Sequence, residues 1–325
     1  MITALTRNVA CMLAFAAVGG AAAAQDWAPS RPVRLIVPFA GGTADMLARL
    51  VAPELSQALG QPMIVEDRGG GGGNIGADLV AKSAPDGQTL LVGYNGPIVV
   101  NQSLFAHMPY DPLTDLTPIT LAVKSPQFLV VHPSLPVANV AEFVALAKAK
   151  PGALAYASVS IGSASHLTME MLKAAARIDL THVPYKGGGP AVVDLLAGQV
   201  QAAFLVPGNI LPQARAGAAR LIASTGETRF AATPEVPTMI EQGFPDFIAV
   251  AWIGFLAPGG TPKNIVDRYN RELVRILTRP ALRARLEQDM QVDVVAGTPD
   301  AFVRWIRAEI PRWAAVIKAT GATVE

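Results

Sequence analysis

Gly41-Gly42 stands between an apolar run, Val33, Leu35, Ile36 and Val37, and a stretch in which Met46, Leu47, Leu50 and Val51 recur at helical spacing. β-branched apolar residues fit a buried strand, and the glycines allow a tight turn. Thr43 or Asp45 can then cap the helix. Strand, glycine turn and helix start together gather free N–H groups and the positive end of a helix dipole, which is anion-binding chemistry. No lysine lies in this turn, so the anion is held mainly by backbone donors; in an exported protein a carboxylate suits it. Two further turns repeat the arrangement. Ser158-Val159-Ser160-Ile161-Gly162-Ser163 precedes a helix starting near Ala164 or Ser165, and Tyr185-Lys186-Gly187-Gly188-Gly189 precedes one starting at Pro190. The first adds hydroxyls. The second offers Tyr185 as a ligand contact and Lys186 as a charge or a plain surface lysine.

Other chemistries fit less well. Gly71, Gly73 and Gly76 match a dinucleotide fingerprint, but no acidic residue stands at the strand end that should follow. The run is read as a mobile loop instead. No Gly-Lys-Ser/Thr occurs, which removes a Walker motif. Four histidines without i, i+4 pairing or HExxH give no zinc site, and neither metal nor cofactor is expected. A serine hydrolase built on Ser163 or Ser165 with His166 lacks the G-x-S-x-G elbow and a third member. His166 then serves packing at the helix start or a backbone hydrogen bond. Trp252 is either core or a wall of a cleft.

The elements that position these turns alternate along the chain. Strands are expected over 63–66, 89–93, 127–131, 154–158, 181–184 and 200–206, with helices over 75–82, 140–150, 166–176 and 190–198. That alternation predicts an α/β fold with largely parallel sheets. After a strand at 252–257 the chain turns helical over 264–278, 280–290 and 299–320, with Thr298 capping the last. Two stretches, 119–131 (apolar but broken by Lys124, Ser125 and Pro126) and 247–258, read as crossings between lobes. At 325 residues two lobes are expected.

Residues 1–24 carry one charge, Arg7, before an apolar run ending Ala22-Ala23-Ala24, and read as a secretory signal cleaved before Gln25. The single cysteine, Cys11, lies inside it, so the mature chain offers no disulfide or thiol chemistry. Removing Arg7 from 26 basic and 25 acidic residues leaves the charge balanced. That composition argues against nucleic acid or an anionic membrane as partner.

Several segments resemble the Bug-type extracytoplasmic solute receptors, also called TctC-like substrate-binding proteins of tripartite tricarboxylate transporters. They include RLIVPFAGGTADMLAR at 34–49, PDGQTLLVG at 85–93, MPYDPLTDLTPIT at 108–120, HVPYKGGGPAVVDLLAGQV at 182–200 and WIGFLAPGGTPKNIV at 252–266. The resemblance implies a two-lobed periplasmic-binding-protein fold of type II, a Venus flytrap with two crossover strands and a helical C-terminal segment. Residues 25–123 with 251–325 would form one lobe and 124–250 the other. It implies a non-enzymatic, monomeric periplasmic receptor that captures a small organic carboxylate and delivers it to integral membrane transporter subunits. A sensor feeding a signalling kinase is the alternative. Carried onto this chain, the ligand-binding residues are Ala40, Gly41, Gly42, Thr43 and Asp45 on the first lobe. On the second they are Ser158, Ser160, Gly162, Ser163 and His166, then Tyr185, Lys186 and Gly187. Two departures from the family pattern, Leu205 in place of an acid and Ser160 in place of a glycine, bear on which ligand fits.

Overall fold

The computed structural model describes residues 27–39, 42–185 and 187–321. The signal segment, Ala40, Gly41 and Lys186 therefore lie outside the described residues. In chain order the elements are β1 (Val33–Val37), α1 (Thr43–Leu59), β2 (Met63–Asp67), α2 (Asn74–Ala81), β3 (Thr89–Tyr94), α3 (Asn101–Leu104), β4 (Leu116–Pro126) and β5 (Phe128–Val131). They continue with α4 (Val140–Ala149), β6 (Ala155–Ser158), α5 (Ala164–Ala176), β7 (Thr181–Pro184), α6 (Gly188–Leu196), β8 (Ala202–Leu205), α7 (Pro207–Arg215) and β9 (Arg220–Ser224). Last come β10 (Val250–Pro258), α8 (Lys263–Leu277), α9 (Pro280–Asp289), β11 (Asp293–Val294) and α10 (Pro299–Thr320), whose N-cap Thr298 accepts from Ala301 N–H.

Two sheets result, ordered β11-β4-β10-β3-β1-β2 and β7-β6-β8-β5-β9. Both are mixed, which corrects the expectation of largely parallel sheets. β1 pairs β2 and β3 in parallel, and β6 pairs β7 and β8 likewise. β10 runs antiparallel to β3 and β4, and β5 antiparallel to β8 and β9. The physical reason is the route of the chain. Strands that arrive from the other sheet enter without a local crossover helix, and only such a crossover enforces parallel pairing.

Each sheet is buried on both faces. α1, α8 and α9 cover one face of the first sheet through Leu47, Val51, Tyr269, Leu273 and Leu286. α2 and α10 cover the other, with Val80, Phe302, Ile306 and Trp313. The second sheet is enclosed by α4 and α5 on one side and by α6 and α7 on the other. The glycine run, expected as a mobile interlobe loop, is bonded within the first half of the molecule instead. Gly71–Gly73 form a 3-10 turn at positive φ, and the Gly72 carbonyl accepts from Tyr94 OH and Asn101 Nδ2, both at 3.1 Å.

Candidate functional site

A cleft of about 390 Å³ opens between the two sheets, beyond the carboxyl ends of β1, β6, β7 and β8. Ligand sites favour this position in α/β sheets, because each strand there turns into a helix start. Gly42, Thr43 and Ala44 line the cleft from α1, and Ser163, Ala164 and Ser165 from α5. Gly187 to Pro190 line it from α6, and Val206 and Asn209 from α7. Four helix N-termini thus face one space.

Three of the four leave their first N–H groups without a side-chain cap. α1 is preceded by Gly42, α6 by Gly187 at φ 126° and α7 by Val206, and none makes a side-chain cap bond. The expectation that Thr43 or Asp45 caps α1 is corrected: both lie inside the helix, and the N-cap position falls on a residue with no side chain. α5 differs. Ser163 Oγ accepts from His166 N–H at 3.2 Å and donates to the Ser160 carbonyl at 2.7 Å. Among the described residues no aspartate or glutamate lines the cleft, and Lys124 is the one charged side chain there.

Of the residues singled out from sequence, Gly42, Thr43, Ser160, Ser163 and Gly187 line the cleft. Asp45 is nearly buried in the first turn of α1, where its Oδ1 pairs with Arg49 Nε at 2.7 Å. Tyr185 turns back onto its own helix and donates to Asp194 Oδ2 at 2.6 Å; desolvation and this bond push its hydroxyl up to about 12. Ser158, Gly162 and His166 sit one layer below the lining. Gly162 N–H donates to His166 Nδ1 at 3.1 Å, which places the His166 proton on Nε2. His166 stacks on His182 at 4.1 Å, and His182 stacks on Tyr156 at 4.8 Å. Ser158 Oγ meets His182 Nε2 at 2.7 Å. Burial, reinforced by the neighbouring His166, holds His182 down at about 4, and burial lowers His166 as well. The layer thus carries two neutral imidazoles that brace the Ser158–Ser163 turn. His166 fills the backbone-bonding role weighed for it, and among the described bonds Ser163 Oγ meets its backbone N–H and not its ring.

Apart from Trp252, sequence reasoning passed over the strand-derived wall. Tyr94, Asn95, Lys124, Ser125 and Gln127 line the cleft together with Trp252. Asn95 bridges to β10, accepting from Trp252 N–H at 2.9 Å and donating to the Val250 carbonyl at 3.2 Å. Gln127 Nε2 donates to Thr168 Oγ1 at 2.7 Å. The available signal is the Lys124-Ser125-Pro126 break in an apolar run, which marks a crossing and, in the structure, also cleft wall. Trp252 proves to be both core and wall: it stands edge-on to Phe302 at 5.4 Å and lines the cleft.

A family model described as tripartite tricarboxylate transporter family receptor matches residues 47–322. Protein BugT of Bordetella pertussis is 39% identical over 325 residues, spanning 99% of each chain. Among solved structures, R. palustris Rpa4515 with adipate superposes with a TM-score of 0.83 at 37% identity, over 91% of this chain and 99% of that one. MatC (Rpa3494) from Rhodopseudomonas palustris with bound malate gives 0.81 at 35% identity, over 89% and 99%. Both comparisons cover about nine-tenths of this chain and nearly all of the other, so the two-lobed periplasmic-binding-protein architecture is shared.

Proposed function

The chain belongs to the tripartite tricarboxylate transporter receptor family, and on that premise we propose that it captures a small organic carboxylate in the cleft and hands it to membrane transporter subunits. Members of this family are receptors and not enzymes. The observation that carries the ligand class is the convergence of four helix N-termini on a cleft lined, among the described residues, by no acidic side chain. Backbone N–H groups there favour a negative oxygen-bearing group without requiring an arginine. The adipate and malate of the two related structures are ligands of that kind.

Binding works through closure. Residues 25–123 with 251–325 act as one lobe and 124–250 as the other. The chain leaves the first sheet at Pro126 and enters the second at Phe128. Thr225 Oγ1 clasps both crossings, accepting from Gln127 N–H at 2.8 Å and donating to the Ala249 carbonyl at 2.5 Å. A ligand that touches α1 on one side and α5 and α6 on the other makes its full set of contacts only when the lobes are together. It therefore shifts the equilibrium toward the closed form. The protein acts in the periplasm after removal of residues 1–24 and works as a monomer.

Isothermal titration calorimetry of refolded, ligand-free protein against carboxylates, amino acids and sugars tests this reading. The expected result is binding confined to carboxylates, weakened at least about tenfold by Gly42→Val. A Cβ on Gly42 would lie 3.1 Å from the Phe39 ring, so that ring must give by a few tenths of an ångström; circular dichroism establishes that the variant is folded, and its branched side chain obstructs the open N–H groups. Carboxylate binding unaffected by Gly42→Val removes α1 from the site, and no binding by any carboxylate overturns the function.

A further inference from the structure

The two crossings between the halves are tied together by a third segment. Gln127 stands between β4 and β5, Ala249 directly precedes β10, and Thr225, the residue after β9, lies between them. Thr225 N–H donates to the Gln127 carbonyl at 2.8 Å, and Ala249 N–H donates to the Thr225 carbonyl at 3.1 Å. The Thr225 hydroxyl takes the Gln127 N–H and bonds the Ala249 carbonyl, so every backbone polar group of these residues is paired within the set. None of the three is more than 1% exposed. Buried backbone that is already paired is costly to pull apart, so this ladder is a fixed reference about which the halves turn.

Of the three side chains, that of Gln127 leaves the ladder, and it reaches the start of α5. Its Nε2 donates to Thr168 Oγ1 at 2.7 Å and lies 3.4 Å from the carbonyl of Ala164, the first residue of the helix. A carbonyl only accepts, so the amide nitrogen and not the oxygen faces α5. Ser163, Ala164 and Ser165 line the cleft, as does Gln127 itself. Thr168 does not: it is 0% exposed and outside the lining. The body of α5 is divided between the halves. Met169 and Leu172 belong to the core of the second sheet, whereas Leu167 belongs to the apolar cluster of α10 with Trp313 and Ile317. The helix start that borders the ligand is thus bonded, through one buried amide, to the strand on which closure turns.

We propose that Gln127 is a positioning residue for carboxylate binding: through Thr168 it fixes the start of α5 to the crossing strands, so that a ligand held at that start stabilises the closed arrangement. The inference rests on the carboxylate reading above and adds to it the side chain that links ligand contact to closure. Without the amide bond the first turn of α5 shifts against the crossings. The ligand then loses part of its bridge to α1, and the closed complex opens sooner. The loss falls on dissociation and not on encounter.

Two near-isosteric variants test this. Gln127→Met removes both polar contacts of the amide, and the Thr168 hydroxyl left behind can turn to the Ala164 carbonyl one helical turn back. Thr168→Val removes the same bond from a residue that no ligand touches. The probes are malate, citrate, adipate, glutamate and benzoate, followed by calorimetry and by stopped-flow fluorescence on refolded, ligand-free protein. For each probe that binds wild type, both variants are expected to dissociate about tenfold faster, with association changed less than about twofold. The double variant is expected to be no worse than the worse single one, because both remove one interaction. Thr168→Ser, which keeps the acceptor, is expected to bind like wild type. Ligand-free urea midpoints of all four variants should stay close to that of wild type. Wild-type binding by Thr168→Val, additive losses in the double variant, or losses that track a falling urea midpoint overturn the role of Gln127 while the carboxylate reading stands. No binding of any of the probes by wild type overturns both.

Discussion

His182 lies between two rings, with Tyr156 on one side and His166 on the other, and its Nε2 is bonded to Ser158 Oγ. Glu170 and Lys173, paired at 2.8 Å, are the charges nearest this stack, and Glu170 also accepts from Tyr156 OH at 2.5 Å. A folded-state value near 4 against an ordinary 6.5 means that the unfolded chain takes up this proton first as pH falls. Stability is then full above about pH 6.5 and drains away between there and about pH 4, by on the order of 2 kcal/mol. Urea unfolding near pH 7 and near pH 4.5 checks this: His182→Gln is expected to show a clearly shallower loss than wild type. Ser163 permits a second test at the same scale. Its Oγ caps α5, so Ser163→Ala is expected to cost about 1 kcal/mol of stability, read from the same titrations at neutral pH.

At the scale of elements, the cleft depends on helices that start at it and strands that end at it. The uncapped starts of α1 and α6 are legible as patterns, since a glycine turn after an apolar run marks a helix entry, whereas the start of α7 at Pro207 is absent from the expected helices although a proline after an apolar run is such a mark. The strand wall is less legible. β3 and β10 are held at their cleft ends by Asn95, whose amide makes both bonds that a continued ladder would otherwise supply. Asn95 is 2% exposed, so Asn95→Ala leaves the Trp252 N–H and the Val250 carbonyl buried without partners. The expected loss is about 2 kcal/mol, measured by chemical denaturation, together with weaker carboxylate binding because Trp252 shifts. A short polar residue between apolar strands carries no sequence mark of such a bridge. Its partners lie 155 and 157 residues away.

At the scale of the whole molecule, the two halves approach each other closely at two glycines. A Cβ on Gly162, beside the α5 start, would strike Leu104 of α3, and a Cβ on Gly208 of α7 would lie 3.1 Å from the Met290 carbonyl after α9. Gly208 lies outside the cleft lining and has no positive φ. Gly208→Val is therefore expected to oppose closure without unfolding either half. Carboxylate affinity should fall about tenfold or more, with the ligand-free urea midpoint nearly unchanged and a larger radius of gyration in solution scattering with ligand. A midpoint that collapses, or an unaltered affinity, would show that this contact does not govern closure.

The chain alone determined the α/β alternation, the helical C-terminal run with its Thr298 cap, and three turns suited to anions. These are properties of local spacing, set by side-chain periodicity and by which residues tolerate a tight turn. Tertiary structure alone decided which turn residues reach the cleft and which brace it from beneath. Gly42, Ser160, Ser163 and Gly187 face the space, while Asp45, Ser158, His166 and Tyr185 are engaged elsewhere. It also decided the mixed direction of both sheets and the approach of Lys124 to Trp252 and Trp305. The physical reason is distance along the chain: Lys124 and Trp252 are opposed only because β10 returns, after the whole second sheet, to pair with β4. Gly41-Gly42 reads in the sequence as a turn suited to an anion, but the wall of the cleft that β10 and β4 supply is made only when the chain comes back.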